Sequence, residues 1–388
     1  MKGRLAILFQ GTIRTDARVL RETLSFAKEW KVDVYASQVN DTDHELVPDN
    51  VQLFSYQLQS SWLNRNLFFA KQYRSVLAQI DAKAYDVFIC IDYPTLAIGV
   101  ELKKQNPSLR LMYDSHEIYI ETINQFFPKK GWKAIYGLPL IYINQFFHRK
   151  REKLLVQHTD GIFTVCKSLQ LYFQKRWNKP VELLRNCPMV EHFVEENSST
   201  VTRAQLGLSM RDFVMIYQGD INPGRGLYFL IDVMKQLPSD IHLLIVGDGM
   251  LKGTLEQYAK GLQNVQFTGR VPYVDLHAYT RLADLGVNLI EPINDSKRLS
   301  LPNKLFEYMA CGIPFLSNDL PEPRYIVEQF DTGYLTEMND VRVVADKIQR
   351  LKEDESSRKD KGAKGKRYFL EQLNWSVEFD TFVKRINL

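Results

Sequence analysis

The sequence predicts two α/β domains, each a Rossmann-like, doubly wound parallel sheet, facing one another across a cleft. Three observations lead there. Strand-length apolar segments alternate with segments of helical period along nearly all of the 388 residues. Several of the apolar runs are continuous, as in parallel strands buried on both faces. A polar stretch near the middle breaks the alternation, which then restarts. The cleft follows from chain order: ligands of open α/β sheets sit at the carboxyl ends of strands, so strand-to-helix loops of both domains should line it.

In the first half, Leu5–Phe9, Val32–Ala36, Val51–Tyr56, Val87–Ile91, Arg110–Tyr113, Gly161–Val165 and Val181–Leu184 read as strands. Asp16–Glu29, Asn66–Ile80, Pro94–Lys104, Gln145–His158 and Lys167–Arg176 read as the helices between them. The segment VEHFVEENSSTVTRAQLGLSMRD has no sustained apolar run and reads as a linker. The expected division is 1–188, a linker 189–210, and a second domain 211–375. The second domain restarts with strands at Phe213–Tyr217, Ile241–Val246, Val265–Thr268, Leu285–Leu289, Pro314–Leu316 and Gly333–Leu335. Its helices are expected at Gly226–Gln236, Met250–Lys260, Tyr273–Arg281, Asn303–Cys311, Pro323–Phe330 and Asp340–Lys352. Two more follow in 356–388, the last (376–388) expected to pack back on the first domain, with Asn374 or Ser376 as its cap.

Composition narrows the function. Fifty Lys+Arg against 46 Asp+Glu give +4, too balanced for a protein that works by coating nucleic acid. The four cysteines, Cys90, Cys166, Cys187 and Cys311, show no zinc-finger spacing and no disulfide framework, which fits a reducing, cytoplasmic setting. No apolar run reaches ~18 residues, and the N-terminal run is too short for a signal peptide, so it reads as a first strand.

Four segments carry candidate chemistry. In Ser300–Gly312, SLPNKLFEYMACG, Pro302 suits a helix start and Gly312 a helix end. Asn303, Lys304 and Glu307 share a face by i+3 and i+4 spacing, while Leu305 and Phe306 face the sheet. A helix start with an adjacent lysine suits a phosphate, and Glu307 can accept from the vicinal hydroxyls of a ribose. The plain alternative is a solvated Lys–Glu pair. In Gln218–Leu227, QGDINPGRGL, a glycine-rich strand-to-helix loop containing Gly219 offers backbone N–H groups to a diphosphate and Arg225 a fork of donors; the alternative is a connector. In Gln10–Asp16, QGTIRTD, Gly11 and Thr12 permit close approach to a ligand and Thr15 or Asp16 caps the helix that follows; an ordinary capped turn is equally consistent. In Tyr113–Glu117, YDSHE, a strand end raises His116 above the other six histidines as a donor to a sugar or reacting oxygen. Asp41-Thr42-Asp43 has the spacing of a metal–diphosphate ligand but no strand enters it, so it reads as a solvated loop. Gly247-Asp248-Gly249 reads as a tight turn bordering the cleft, and Arg270 and Val271 sit where main chain can touch a nucleobase. Residues 126–153 hold seven Lys/Arg against the single acid Glu152, interleaved with aromatics; they read equally as an anionic-membrane surface or a core helix pair with a basic end, with the Trp62–Tyr73 aromatic patch adding to the former.

Taken together, DARVL at 16–20, YDVFICIDYPTLAIG followed by LMYDSHEIY, IYQGDINPGRGLYFLI, LLIVGDGM, VQFTGRVP and especially LPNKLFEYMACGIPFLSND resemble, in order, the blocks of the family 4 glycosyltransferases of GT-B fold. The resemblance implies a retaining transfer, without an obligatory metal or other cofactor, from a UDP- or GDP-sugar bound by the second domain to a glycan or lipid-linked acceptor on the first. It implies surface-polysaccharide synthesis at the inner face of the cytoplasmic membrane. Arg225 and Lys304 would neutralise the leaving diphosphate, with Gly219, Asn303 and Leu305 beside it; Glu307 would bind the ribose, and main chain at Arg270 and Val271 would flank the base. Gly11 and Thr12 would approach the diphosphate from the first domain, and His116 the transferred sugar. Two positions depart from the pattern: Leu299 stands where the family often carries a second glutamate, and Asp220 where an arginine follows the glycine. Two other readings remain at this point: a GT-B sugar-nucleotide 2-epimerase, and a non-catalytic nucleotide-sugar-binding module.

Overall fold

The computed structural model describes residues 1–56, 74–122, 132–194 and 201–388. The chain divides into two compact units, one of Met1–Leu184 with Phe382–Leu388, the other of Arg185–Thr381.

In the first unit, β1 (Arg4–Leu8), β2 (Lys31–Ala36), β3 (Val51–Ser55), β4 (Val87–Ile91), β5 (Arg110–Ser115), β6 (Gly161–Thr164) and β7 (Glu182–Leu183) form one sheet in the order β3-β2-β1-β4-β5-β6-β7. Every pairing is parallel. The main helices are α1 (Ala17–Phe26), α2 (Asp92–Gln105), α3 (Trp132–Val156) and α4 (Lys167–Trp177). Strand order reverses between β1 and β4, so the loops leaving those two strands diverge and open a crevice at their carboxyl ends.

The second unit repeats the plan. Strands β8 (Phe213–Gln218), β9 (Ile241–Val246), β10 (Val265–Gly269), β11 (Leu285–Asn288), β12 (Phe315–Asn318) and β13 (Gly333–Thr336) pair in the order β10-β9-β8-β11-β12-β13, again all parallel. The reversal lies between β8 and β11. The main helices are α5 (Leu227–Met234), α6 (Lys252–Tyr258), α7 (Tyr273–Thr280), α8 (Asn303–Ala310), α9 (Pro321–Phe330), α10 (Val341–Glu353), α11 (Glu355–Glu371) and α12 (Trp375–Ile386). Met215, Leu230, Ile231, Leu243, Ile245, Val287, Val344 and Ile348 form one core between β-sheet and helices. Each such side chain contributes about 1.5–3 kcal/mol by leaving water. All six residues of β8 are buried, which is why its sequence FVMIYQ runs apolar without alternation.

Local chemistry explains most boundaries. Asp16 caps α1, its carboxylate accepting from the N–H groups of Arg18 and Val19. Asn374 accepts from Val377 N–H and so opens α12. The end of that helix belongs to the first unit: the Phe382 and Phe163 rings lie 4.6 Å apart, and Lys2 Nζ donates to the Leu388 carbonyl at 2.9 Å. Three expectations shift. β5 runs two residues further than its apolar core, to Ser115, because Asp114 and Ser115 pair with β6 despite being polar. α3 starts at Trp132, well before Gln145, since its apolar residues are spread around the helix and give no clear periodic stripe. The polar linker contains a helical turn at Glu191–Val194 and another at Ala204–Leu206. Most of the helix expected at Asn66–Ile80, the Trp62–Tyr73 patch, residues 126–131 and 195–200 of the linker lie outside the described residues.

Candidate functional site

In the second unit the candidate residues gather where β8 and β11 part. β8 ends at Gln218, and Gly219 follows with φ of 119°, a conformation L side chains rarely adopt. The loop closes onto α5 through Gly226 at φ 67°, where any Cβ would run into the Leu289 carbonyl. The GDG turn after β9 holds this loop from behind: Gly219 N–H donates to the Val246 carbonyl at 2.9 Å, Ile221 N–H to the Asp248 carbonyl at 2.9 Å, and Met250 N–H to Asn222 at 3.2 Å. Its role is therefore to shape the glycine loop.

α8 begins beside that loop. Pro302 occupies the cap position, no side chain caps the helix and its first turn contains no acid. Among the described residues, the N–H groups of Asn303 and Lys304 have no protein acceptor. The positive end of the helix is thus left open. Tyr308 fixes the helix from below, its hydroxyl reaching the carbonyls of Ile216 at 3.1 Å and Val287 at 3.2 Å. Gly286 on β11 leaves room for that ring.

Lys304 is buried, 8% exposed, with Nζ 3.6 Å from the centre of the Tyr217 ring and 3.7 Å from where a Cβ on Gly219 would stand. No carboxylate pairs with it among the described residues. Burial, and then the charge of Arg225, depress its pKa well below the usual lysine value; Glu307 and Asp220 offset this only in part. Arg225 is half-buried and likewise has no ion pair among the described residues. Two basic side chains and an open helix end therefore converge with no carboxylate in ion-pair contact with either among the described residues.

Glu307 lies one turn deeper, 9% exposed, its carboxylate held by Gln218 Nε2 on one oxygen and by the Tyr273 hydroxyl at 3.3 Å on the other. Gln218 is oriented in turn by Thr280, whose hydroxyl donates to its amide oxygen at 2.8 Å. Gln218, Tyr273 and Thr280 escaped the sequence reading. Only the place of Gln218, the last strand residue before the glycine loop, was a usable signal. Asn303 and Arg270 are exposed and Val271 is half-buried. Leu305 is entirely buried, and its N–H donates to the Pro302 carbonyl at 3.1 Å, so it supports the helix start from within the core. Leu299 is also buried, 7% exposed.

The first unit brings Gly11, Thr12 and His116 to the carboxyl edge of its sheet. Gly11 is tightly seated, since a Cβ would lie 3.0 Å from the Phe9 ring. Thr12 and Thr15 share a hydroxyl hydrogen bond of 2.6 Å. Gln10 reaches the Tyr119 hydroxyl at 3.5 Å, joining this loop to the one that follows β5. His116 stands one residue beyond β5, its side chain 18% exposed, with Nε2 2.6 Å from Asp114 Oδ2. Arg18 on α1 braces the same carboxylate at 3.2 Å and lies 2.9 Å from Glu22. Glu22, Asp114 and His116 have the spacing to hold a metal ion, but the guanidinium of Arg18 already contacts both carboxylates. Asp43, the candidate ligand of the D-x-D loop, is fully buried and bound by Arg14 at 2.8 Å and by Asn40 N–H at 2.9 Å.

Comparison with known proteins adds to this geometry. Residues 198–368 match the family model described as glycosyl transferases group 1. The chain is 25% identical over 226 residues to N-acetyl-alpha-D-glucosaminyl L-malate synthase of Bacillus anthracis, covering 56% of the chain and 57% of that protein. It is 22% identical over 208 residues to the lipopolysaccharide core biosynthesis glycosyltransferase LpsE of Rhizobium meliloti, covering 54% and 58%. The chain spans about half the length of the curated relatives it matches. Among solved structures, Anabaena HepE in complex with UDP-glucose superposes with a TM-score of 0.74 at 16% identity over 99% of both chains. Sucrose-phosphate synthase of Thermosynechococcus elongatus does so with 0.72 at 19% identity, over 98% of this chain and 97% of that one. The fold is GT-B.

Proposed function

We propose that this chain, whose second unit carries a glycosyl transferases group 1 domain, is a retaining glycosyltransferase that moves a sugar from a UDP- or GDP-sugar to a glycan or lipid-linked acceptor. The observation that carries the reading is the pair Arg225 and Lys304 at the uncapped start of α8, two basic side chains with no ion pair among the described residues.

Breaking the bond between sugar and phosphate develops negative charge on the diphosphate and positive charge at the anomeric carbon. Fixed cations and helix-start N–H groups stabilise the leaving group without reorganising during the reaction. Lys304 and Arg225 supply that charge, and the N–H groups of Asn303 and Lys304 take phosphate oxygens, while Gly219, whose own N–H is taken by the Val246 carbonyl, lets the diphosphate come close. Glu307, its carboxylate oriented by Gln218 and Tyr273, is the acceptor for the ribose hydroxyls in this reading. Main chain at Arg270 and Val271 flanks the base. Gly11 and Thr12 approach the donor from the first unit and His116 donates to the transferred sugar. With two cations on the diphosphate the reading assigns no role to a metal.

The acceptor side of the reading rests on α3. Tyr142, Ile143, Phe146, Phe147 and Leu154 are exposed on it, between 53% and 69%. Exposed Lys150 and Lys153 share that stretch, with Lys150 Nζ 4.4 Å from the Phe146 ring centre. An apolar comb set with lysines suits the surface of an anionic membrane, where a lipid-linked acceptor resides. None of the helices among the described residues is long and apolar enough to cross a membrane.

Donor turnover tests the assignment. Arg225→Ala and Lys304→Ala are each expected to lower the rate by ~10²–10³, as loss of one anion-stabilising donor does elsewhere. Wild-type turnover is expected to survive EDTA. Unchanged turnover in both variants removes the site; an epimerised donor, or binding without any turnover across a donor panel, replaces the function.

A further inference from the structure

The environment of His116 bears on how it acts. Its Nε2 is 2.6 Å from Asp114 Oδ2 and 2.9 Å from Arg18 Nε. Both neighbours cannot be served by one nitrogen in the same state. A nitrogen 2.6 Å from an ionised carboxylate oxygen needs a proton between them, whereas Arg18 has other acceptors: Asp114 Oδ2 at 3.2 Å from its Nε and the Leu184 carbonyl at 2.9 Å. Asp114 remains the ionised partner, for although it is fully buried, Arg18 and His116 hold its pKa below the usual carboxylate range. Nε2 therefore carries a proton and donates it to Asp114.

The backbone fixes the ring from the other side. His116 N–H donates to Asp92 Oδ1 at 3.0 Å, and Asp92 is held at φ 58° to reach it. The charged groups facing the imidazole from its own strand end are Asp114 and Glu117, from α2 Asp92, and from α1 Arg18, Glu22 and Asp16. Carboxylates outnumber guanidinium in this set. With the ring a cation and Glu22, buried and repelled by Asp114, protonated, the set is less negative than with a neutral ring; burial pushes Glu22 up to about 8 and Asp92 up to about 7. Burial disfavours the charged ring, but Asp114 and Asp92 outweigh it and raise His116 to about 10.

We infer that Asp114 and Arg18 are positioning residues that hold His116 as a doubly protonated ring, with Nδ1–H as a fixed hydrogen-bond donor and no lone pair left to act as a base. Among the described residues Nδ1 has no protein partner, so it is the ring atom available to a substrate oxygen. The assignment of a substrate to it rests on the proposed glycosyltransferase function; the protonation state does not.

Nitrogen–proton NMR correlation of the imidazoles in the full-length chain tests this, with the His116 signal assigned by its loss in His116→Gln. The expected spectrum shows both His116 nitrogens protonated with no titration between about pH 6.5 and 8.5, far above an ordinary histidine. In Asp114→Asn the ring is expected to titrate inside that window. A wild-type ring that is singly protonated, or that titrates near pH 6.5, overturns the inference; this arm needs no variant to fold. Donor turnover supplies the second arm. Wild-type turnover should show no histidine-linked rise through that window, and Asp114→Asn should lose activity progressively as the pH is raised. A uniform loss with an unchanged pH profile would make Asp114 merely structural and contradict the positioning role. Charged-ring signals together with wild-type turnover in His116→Gln would preserve the protonation state and remove His116 from the reaction instead.

Discussion

Lys304 shows how one side chain ties the fold to the proposed ligand. Its ammonium is desolvated, sits over Tyr217 and feels the charge of Arg225, so the folded protein favours the neutral amine more than the unfolded chain does. A depressed lysine pKa means that the charged form costs stability below the unfolded value, and that this cost disappears as pH rises. A diphosphate reverses the balance by stabilising the ammonium. Binding of UDP or GDP is therefore expected to take up protons, most strongly at pH values between the depressed Lys304 pKa of the free protein and its higher pKa in the complex. Calorimetry in buffers of different ionisation enthalpy reads this directly, and Lys304→Met should abolish the uptake; equal heats in all buffers would contradict it. The i+3 spacing of Lys304 and Glu307 made both legible in the sequence. Gln218, Tyr273 and Thr280 were not, because each acts on Glu307 from a different strand or helix and only the fold joins them. Arg18 and Asp114 were hidden for the same reason: they lie 96 residues apart along the chain.

At the level of elements, α8 is a short helix whose position matters more than its own stability. The Tyr308 hydroxyl joins it to two strands, and its removal leaves two buried carbonyls with one fewer donor. Tyr308→Phe is expected to lower unfolding stability by about 1 kcal/mol in denaturant titration while leaving the fold intact. An unchanged midpoint would show that these bonds do not hold the helix. α3 offers a second test. Its exposed residues contribute little to the core, so Phe146→Ser with Phe147→Ser should leave the thermal midpoint nearly unchanged. The same pair should sharply reduce co-sedimentation with vesicles containing phosphatidylglycerol, as should Lys150→Glu with Lys153→Glu. Equal sedimentation of wild type with neutral and anionic vesicles would contradict the membrane reading. Sequence periodicity placed the start of α3 too late because its apolar residues surround the helix, and it placed α8 well because Pro302 and Gly312 mark both ends.

For the molecule as a whole, the alternation of apolar strands and helices made both parallel sheets legible, since buried parallel strands must be apolar on both faces. The sequence could not show where strand order reverses, because that depends on which strand pairs with β1 and β8. It is this reversal that opens each sheet at the loops bearing Gly11 and Gly219. The central claim is that Arg225, Lys304 and the start of α8 hold a diphosphate. It is tested most directly by comparing nucleoside and nucleoside-diphosphate affinity, uridine against UDP and guanosine against GDP, in wild type and in Arg225→Ala with Lys304→Ala. The account predicts that one diphosphate binds wild type at least ~100-fold more tightly than its nucleoside, a coupling of about 2.7 kcal/mol, and that the double variant loses most of this gain without losing nucleoside affinity. Diphosphates that bind wild type no better than nucleosides, or that bind the double variant equally well, would contradict it.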